Sequence, residues 1–218
     1  MSRHRWLAGT AMLWSLVLAP PPAAARPLAH GPTPATKAAP TPAHPIVLAM
    51  LLDLKQGELG RWTEISSVRR PSRIVELCVS FQRDYPHSTH RDEARALEAG
   101  ASRAVTIKRE VGLSGEFFET TRGDAAFDAR LLGAARGDAE AAYGVAIAFG
   151  DGRSGVSASL YRHEQWLRFA AELGHARASW DLAQIYNAYG RVADAAHFEK
   201  RATELGYKPP PRLSNRDY

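Results

Sequence analysis

The sequence predicts an all-α protein, a solenoid of stacked helical hairpins, and three observations within residues 137–206 predict it. The chain says one thing twice: Gly137-Asp-Ala-Glu-Ala-Ala-Tyr-Gly-Val-Ala-Ile-Ala-Phe149 lies over Gly174-His-Ala-Arg-Ala-Ser-Trp-Asp-Leu-Ala-Gln-Ile-Tyr186. Each line is followed by a second helical segment, residues 166–174 and 198–206. The first halves are offset by 37 residues and the second by 32, so the first unit carries five extra residues in its internal loop. Paired helical segments at a period in this range are the mark of an α-solenoid. Finally, small residues, aromatics and glycines fall in phase. Ala139, Ala141, Ala142, Ala146, Ala148, Ala176, Ala178 and Ala183 keep the first helices thin, which lets neighbouring backbones approach. Tyr143, Phe149, Trp166, Trp180, Tyr186 and Phe198 are expected to fill the gaps between layers, and Gly137, Gly152, Gly174, Gly190 and Gly206 to make the turns.

Taken in order, the chain opens as an export signal. Ser2-Arg3-His4-Arg5 is a basic start, residues 6–19 are apolar, and Ala23-Ala24-Ala25 supplies small residues before a cut at Arg26. Fourteen apolar residues fall short of the roughly twenty that span a bilayer, which favours a cleaved signal over a retained anchor. No cysteine follows for lipid attachment and no later segment is long enough to cross a membrane. The expected product is a soluble periplasmic or secreted chain with no transmembrane anchor after signal cleavage. Residues 26–45 hold six prolines among Ala, Thr and His and read as an extended linker.

Val47, Met50, Leu51 and Leu54 give helical spacing to residues 46–57. Pro71 breaks the next stretch, so a separate helix is expected over 72–84, ended by Tyr85-Pro86. Another is expected from Ser88 or Thr89 to about Arg109, with a hydroxyl capping it and Asp92 and Glu93 at the positive end of its dipole. Residues 112–123 read as a loop. Its adjacent Phe117 and Phe118 cannot share one helical stripe, so one ring is expected to plug the edge of the stack, the alternative being that both mark a binding hinge. Residues 126–137 look like the second helix of a preceding unit, because Ala134-Ala135-Arg136-Gly137 echoes Ala170-Ala171-Glu172-Leu173-Gly174. Gly206 stops the last helix, and Lys208-Pro209-Pro210-Pro211-Arg212 forbids its continuation into the tail, residues 207–218.

The doubled segment resembles the Sel1-like repeat, a relative of the tetratricopeptide repeat. The resemblance is carried by Ala139-x-Ala141-x-Tyr143 with Phe149, Gly152, Gly155 and Val156, then by Trp166 and by residues 170–176. It returns as Trp180, Leu182, Tyr186 and Gly190, followed by Ala195-Ala196, Phe198 and residues 202–206. It departs from the family at Gly144, Ala146 and Asp181 and at the lengthened loop. The helices either side of Tyr85-Pro86-His87-Ser88 resemble a degenerate tetratricopeptide-type hairpin. The resemblance implies a right-handed α-α solenoid, with degenerate tetratricopeptide-like helices over 46–123 and Sel1-like repeats over 124–206. It also implies protein-protein interaction in envelope assemblies or signalling.

Composition narrows the partner. The formal charge is +5, from 28 basic and 23 acidic residues; without residues 1–25 it is 26 against 23, or +3, too mild to argue for nucleic acid. Cys78 is the one cysteine, so an exported monomer has no internal disulfide. It shares an apolar helical face with Ile74, Leu77 and Phe81, which points to burial, with an intermolecular bridge as the alternative.

The search for chemistry yields no catalytic, cofactor or metal residues. His87 and His90 straddle a helix start and lack a third ligand; His163 lies beside Trp166, and His175 occupies a repeat turn. Glu116 and Glu119 have the spacing of a paired acid and base but sit on a loop with nothing to set their ionisation apart. No phosphate loop or nucleophile elbow is present. What remains is surface. Glu140, Arg168, Arg177, Asp181 and Lys200 are free of obvious packing duty, and Tyr161, Arg177 and Tyr189 are the candidate partner surface. The expected function is a non-catalytic adaptor for a protein or peptide. A scaffold associated with exopolysaccharide biosynthesis or export is the second reading and a cell-wall or peptide hydrolase the third.

Overall fold

The structure is a computed structural model and describes residues 45–114, 116–119 and 123–210. The expected signal segment, the linker up to residue 44 and tail residues 211–218 lie outside the described residues. Within them the chain is all helical, with no strand. Its helices are α1 (Pro45–Ser67), α2 (Pro71–Asp84), α3 (Arg91–Glu110), α4 (Ala125–Ala135), α5 (Ala139–Asp151), α6 (Leu160–Leu173), α7 (Ala176–Ala188) and α8 (Val192–Glu204). Neighbours pack in chain order. The pairs α2–α3, α5–α6 and α7–α8 make the most extensive contacts, α4–α5 and α6–α7 join them, and α3 also reaches α6.

One closure recurs at six helix ends. A glycine with left-handed backbone follows the helix, and the N–H of the next residue donates to the carbonyl five residues back. The bonds are Leu113 to Lys108 (3.0 Å), Asp138 to Gly133 (3.1 Å), Arg153 to Ala148 (3.1 Å), His175 to Ala170 (2.9 Å), Arg191 to Tyr186 (2.8 Å) and Tyr207 to Ala202 (2.9 Å). All five predicted turn glycines take part. At three of these turns the residue after glycine also opens the next helix, and at two its side chain caps it. Asp138 accepts from the N–H groups of Glu140 and Ala141, and His175 Nδ1 accepts from that of Ala178.

The aromatics divide into two kinds. Phe149, Trp166, Tyr186 and Phe198 are buried between helices. Tyr143 and Trp180, equivalent in the two units, are only half-buried: Tyr143 packs against the edge of the core and reaches α7, whereas Trp180 is not enclosed between helices. Each stacks on the residue past the glycine that closes the following helix, Gly174 after α6 and Gly206 after α8. Tyr143 lies on His175 with centroids 4.3 Å apart and Trp180 on Tyr207 at 5.5 Å. No element follows α8 among the described residues, so Tyr207 and Pro210 cover the end that Trp180 presents.

Three expectations need correction. Helix α1 does not stop at Gly57 but continues ten residues to Ser67. Each interior glycine costs about 1 kcal/mol, yet tertiary contacts outweigh that cost. Ile65 is fully buried, Trp62 stacks on His90 (4.5 Å), and the Glu58 carboxylate accepts from both Lys55 and the Ser88 hydroxyl, which hold it below the usual carboxylate range. Helix α3 begins at Arg91 rather than at Ser88 or Thr89, because Ser88 Oγ is engaged in the preceding turn, accepting from the His90 N–H (3.0 Å). Phe117 and Phe118 are both buried, on a loop folded into turns by the Phe117 N–H to Ser114 carbonyl (3.2 Å) and Glu119 N–H to Glu116 carbonyl (2.8 Å) bonds. They close an aromatic cluster with Trp166 and Phe169, Phe117 stacking on Trp166 at 4.0 Å.

Cys78 is fully buried, and burial pushes its thiol up to about 11, with the Glu98 carboxylate adding to the effect and Arg136 opposing it. An intermolecular bridge therefore has no exposed sulfur to start from. A thiol reagent near neutral pH should react about 100-fold slower with the folded chain than with the chain in denaturant, where the thiolate fraction returns to normal. Full reactivity in native buffer would refute the burial.

Candidate binding surface

An open groove of about 610 Å³ runs along α4 and α5. Its floor exists because the sequence keeps side chains small where the two helices meet. A Cβ on Gly133 would lie 2.8 Å from the Ala141 methyl, and one on Gly144 would lie 2.8 Å from Arg130 Cδ. Arg130 thus lies across Gly144, and Ile147 supplies the apolar wall. The rim is charged with both signs, by Arg130, Asp138, Glu140, Asp151 and Arg153, of which Asp151 and Arg153 approach within 3.5 Å.

One wall of the groove belongs to a polar network that joins α5 to α7. The Tyr143 hydroxyl donates to Asp181 Oδ2 at 2.8 Å, and Arg177 Nε lies 3.7 Å from the same oxygen. Burial and the Asp181 carboxylate push the Tyr143 phenol up to about 12, so it remains a proton donor across the physiological range. His175 Nδ1 accepts from the Ala178 N–H at 3.0 Å, so the proton of a neutral ring sits on Nε2, which donates to Glu140 Oε2 at 2.9 Å. Glu140 and Asp181, expected to be free of packing duty, are both engaged; Lys200 pairs with Glu204 at 3.7 Å.

The predicted partner residues do not form one patch. Tyr161, in the first turn of α6, and Tyr189, at the end of α7, are the exposed rings among the described residues, 71% and 58% accessible. Arg177 stands in the opening turn of α7, about 18 Å along the helix from Tyr189. The Tyr161 hydroxyl accepts from Gln165 Nε2 at 2.8 Å. Arg130 and Ile147 were missed by sequence reasoning, although Gly144, where the chain leaves the repeat pattern, marks the place where Arg130 crosses.

Other candidates take structural roles. Glu116 and Glu119 both line a 490 Å³ cavity with Arg70 and Lys108, but Arg70 donates to Glu119 through Nε (2.8 Å) and Nη2, which ties the loop to the start of α2. Burial lowers Lys108, and Arg70 nearby adds to that while Glu119 opposes it. His163 donates from Nδ1 to the Ala146 carbonyl (2.7 Å), and His90 stacks on Trp62. Among the described residues no three His, Cys, Asp or Glu side chains converge as metal ligands, and no helix is long and apolar enough to cross a membrane. Compared with protein-family models, curated proteins and solved structures, the chain matches none.

Proposed function

We propose that this chain is an exported, non-catalytic adaptor: a right-handed α-solenoid of Sel1-like and tetratricopeptide-like hairpins that binds a protein or peptide in the cell envelope. The α4–α5 groove carries the reading. A floor of small residues crossed by Arg130, one apolar wall and a rim carrying both charges suit an extended or helical segment of another polypeptide, whose side chains meet Ile147 and the rim. The solenoid reading is supported by the recurring glycine closure and by the equivalent stacks Tyr143–His175 and Trp180–Tyr207. Export rests on the sequence of residues 1–25 alone.

Affinity capture from envelope extract tests the function, with the native chain beside Arg130→Glu and Ile147→Glu. A protein retained by the native chain and lost, by at least about tenfold, from both variants supports the adaptor and its groove. Equal retention by all three chains moves binding off the groove. Recovery of glycan alone, or turnover of a cell-wall substrate by the purified chain, sinks the adaptor.

A further inference from the structure

Among the described residues, most of the exposed large hydrophobic side chains lie outside the groove. Eight of the fourteen large hydrophobic side chains exposed among the described residues lie on α1: Ile46, Val47, Leu48, Met50, Leu51, Leu52, Leu54 and Leu59, each 49–68% accessible. At 3.6 residues per turn, Val47, Leu51 and Leu54 continue the stripe of Glu58, Trp62 and Ile65. The second half of that stripe is seated on the body; the first half is not. The α2–α3 turn ends level with Gly57, whose added Cβ would lie 3.1 Å from the Tyr85 hydroxyl, and with Glu58, which meets Ser88. The preceding three turns, about 18 Å of helix, project beyond it. Leu48, Leu52 and Leu59 widen the apolar arc on one flank, where Lys55 interrupts it one turn past Leu51, and a polar strip through Asp53 and Gln56 remains on the far side.

We infer that two copies of this chain associate through these projecting turns of α1, packed antiparallel about a two-fold axis near Leu51. Area favours a second copy. The eight side chains expose on the order of 800 Å², what each partner contributes to a stable interface and more than the largest apolar patch of an ordinary monomer. Symmetry favours it too, because a patch of flexible leucines on a straight helix is self-complementary under a two-fold, each copy offering the same surface to the other. Asp53 and Gln56 stay in water on the far side. A lipid surface fits less well. Helices that lie on membranes carry Lys and Arg beside the apolar face, whereas the one cation along these turns, Lys55, is held by Glu58 at 3.0 Å.

The test is sedimentation equilibrium of the purified protein, with intact mass reporting its N-terminus, beside Leu51→Asp, Leu48→Asp and, as a control, Leu160→Asp, which alters an exposed leucine on α6. The expected result is a two-chain species at micromolar concentration. Each α1 variant should weaken it by at least roughly 100-fold, since the substitution is felt twice across the axis, and Leu160→Asp should leave it unchanged. All variants should keep the native helical circular dichroism, because the altered side chains are exposed in the single chain. A single-chain species at all concentrations, with the patch covered by the chain's own N-terminal segment or by nothing, overturns the inference. So does a two-chain species that survives Leu51→Asp. Co-sedimentation of a single chain with phosphatidylglycerol vesicles, lost in Leu51→Asp, would make lipid the occupant and equally refute it.

Discussion

Gly100→Ala should destabilise the protein by at least about 3 kcal/mol, the opposite of what the same change does in an exposed helix. Gly100 lies in α3, where adding a methyl group ordinarily stabilises by about 1 kcal/mol. Here the new Cβ would sit 2.1 Å from the Arg136 carbonyl oxygen and 3.2 Å from its carbon. The obstacle is backbone, so no rotamer relieves it. The approach is close from the other side too: a Cβ added at Gly137, where φ is +84°, would lie 2.4 Å from the Gly100 carbonyl oxygen. Helix α3 would have to move bodily off the α4–α5 turn. That shift would pull Arg103 from the Leu173 carbonyl (2.8 Å) and disturb the buried Ala101 and Ala104. Gly60→Ala in α1 is the control. Its Cβ would meet nothing within 4 Å, and a gain of roughly 0.5–1 kcal/mol is expected. Urea denaturation followed by circular dichroism measures both. If Gly100→Ala stabilises as Gly60→Ala does, the close α3-to-turn contact is wrong.

Trp166→Ala should cost about 3–5 kcal/mol, several times the cost of Trp180→Ala. Trp166 is 1% accessible and is the hub on which Phe117 stacks and Phe118 and Phe169 pack edge-on. Truncating it opens a cavity between α6 and the 116–119 loop, and with Phe117 and Phe118 loosened, the Arg70–Glu119 tie loses its anchored end. Trp180 is half-buried and touches one ring, Tyr207, so about 1 kcal/mol is expected there. The two midpoints in the same denaturation experiment decide it. Equal losses would mean that Trp180 packs between layers after all.

The helical class and the helix stops were legible because they depend on local chemistry. A glycine closing a helix needs only a left-handed φ and one backbone hydrogen bond, and both recur wherever the sequence shows the glycine. Less legible was anything decided by distant contacts. Gly57 reads as the end of α1, and only the distant partners of Glu58, Trp62 and Ile65 carry the helix past it. Ser88 has the chemistry of a cap but is taken by the turn and by Glu58, thirty residues away. The rule that adjacent residues diverge holds on a helix, which is why it misjudged Phe117 and Phe118 on a loop. Tyr143 and Trp180 were correctly matched to each other, but their shared environment lies in the following turn, which no periodicity within a helix reveals. The groove left one trace in the sequence, a glycine at 144.

Tyr207 occupies the place that Asp138 and His175 hold in the earlier turns, one residue past a left-handed glycine, and like His175 it stacks on an aromatic two helices back, Trp180 of α7 as His175 does on Tyr143 of α5. What differs is the sequel. Lys208 replaces alanine, and Pro209 and Pro210 bar their predecessors from the helical region. After α8 the described residues therefore form a short plug over Trp180. A hairpin spliced in after Gly206 would displace that plug and find in Trp180 a ring already placed to stack on, as Tyr143 is for His175.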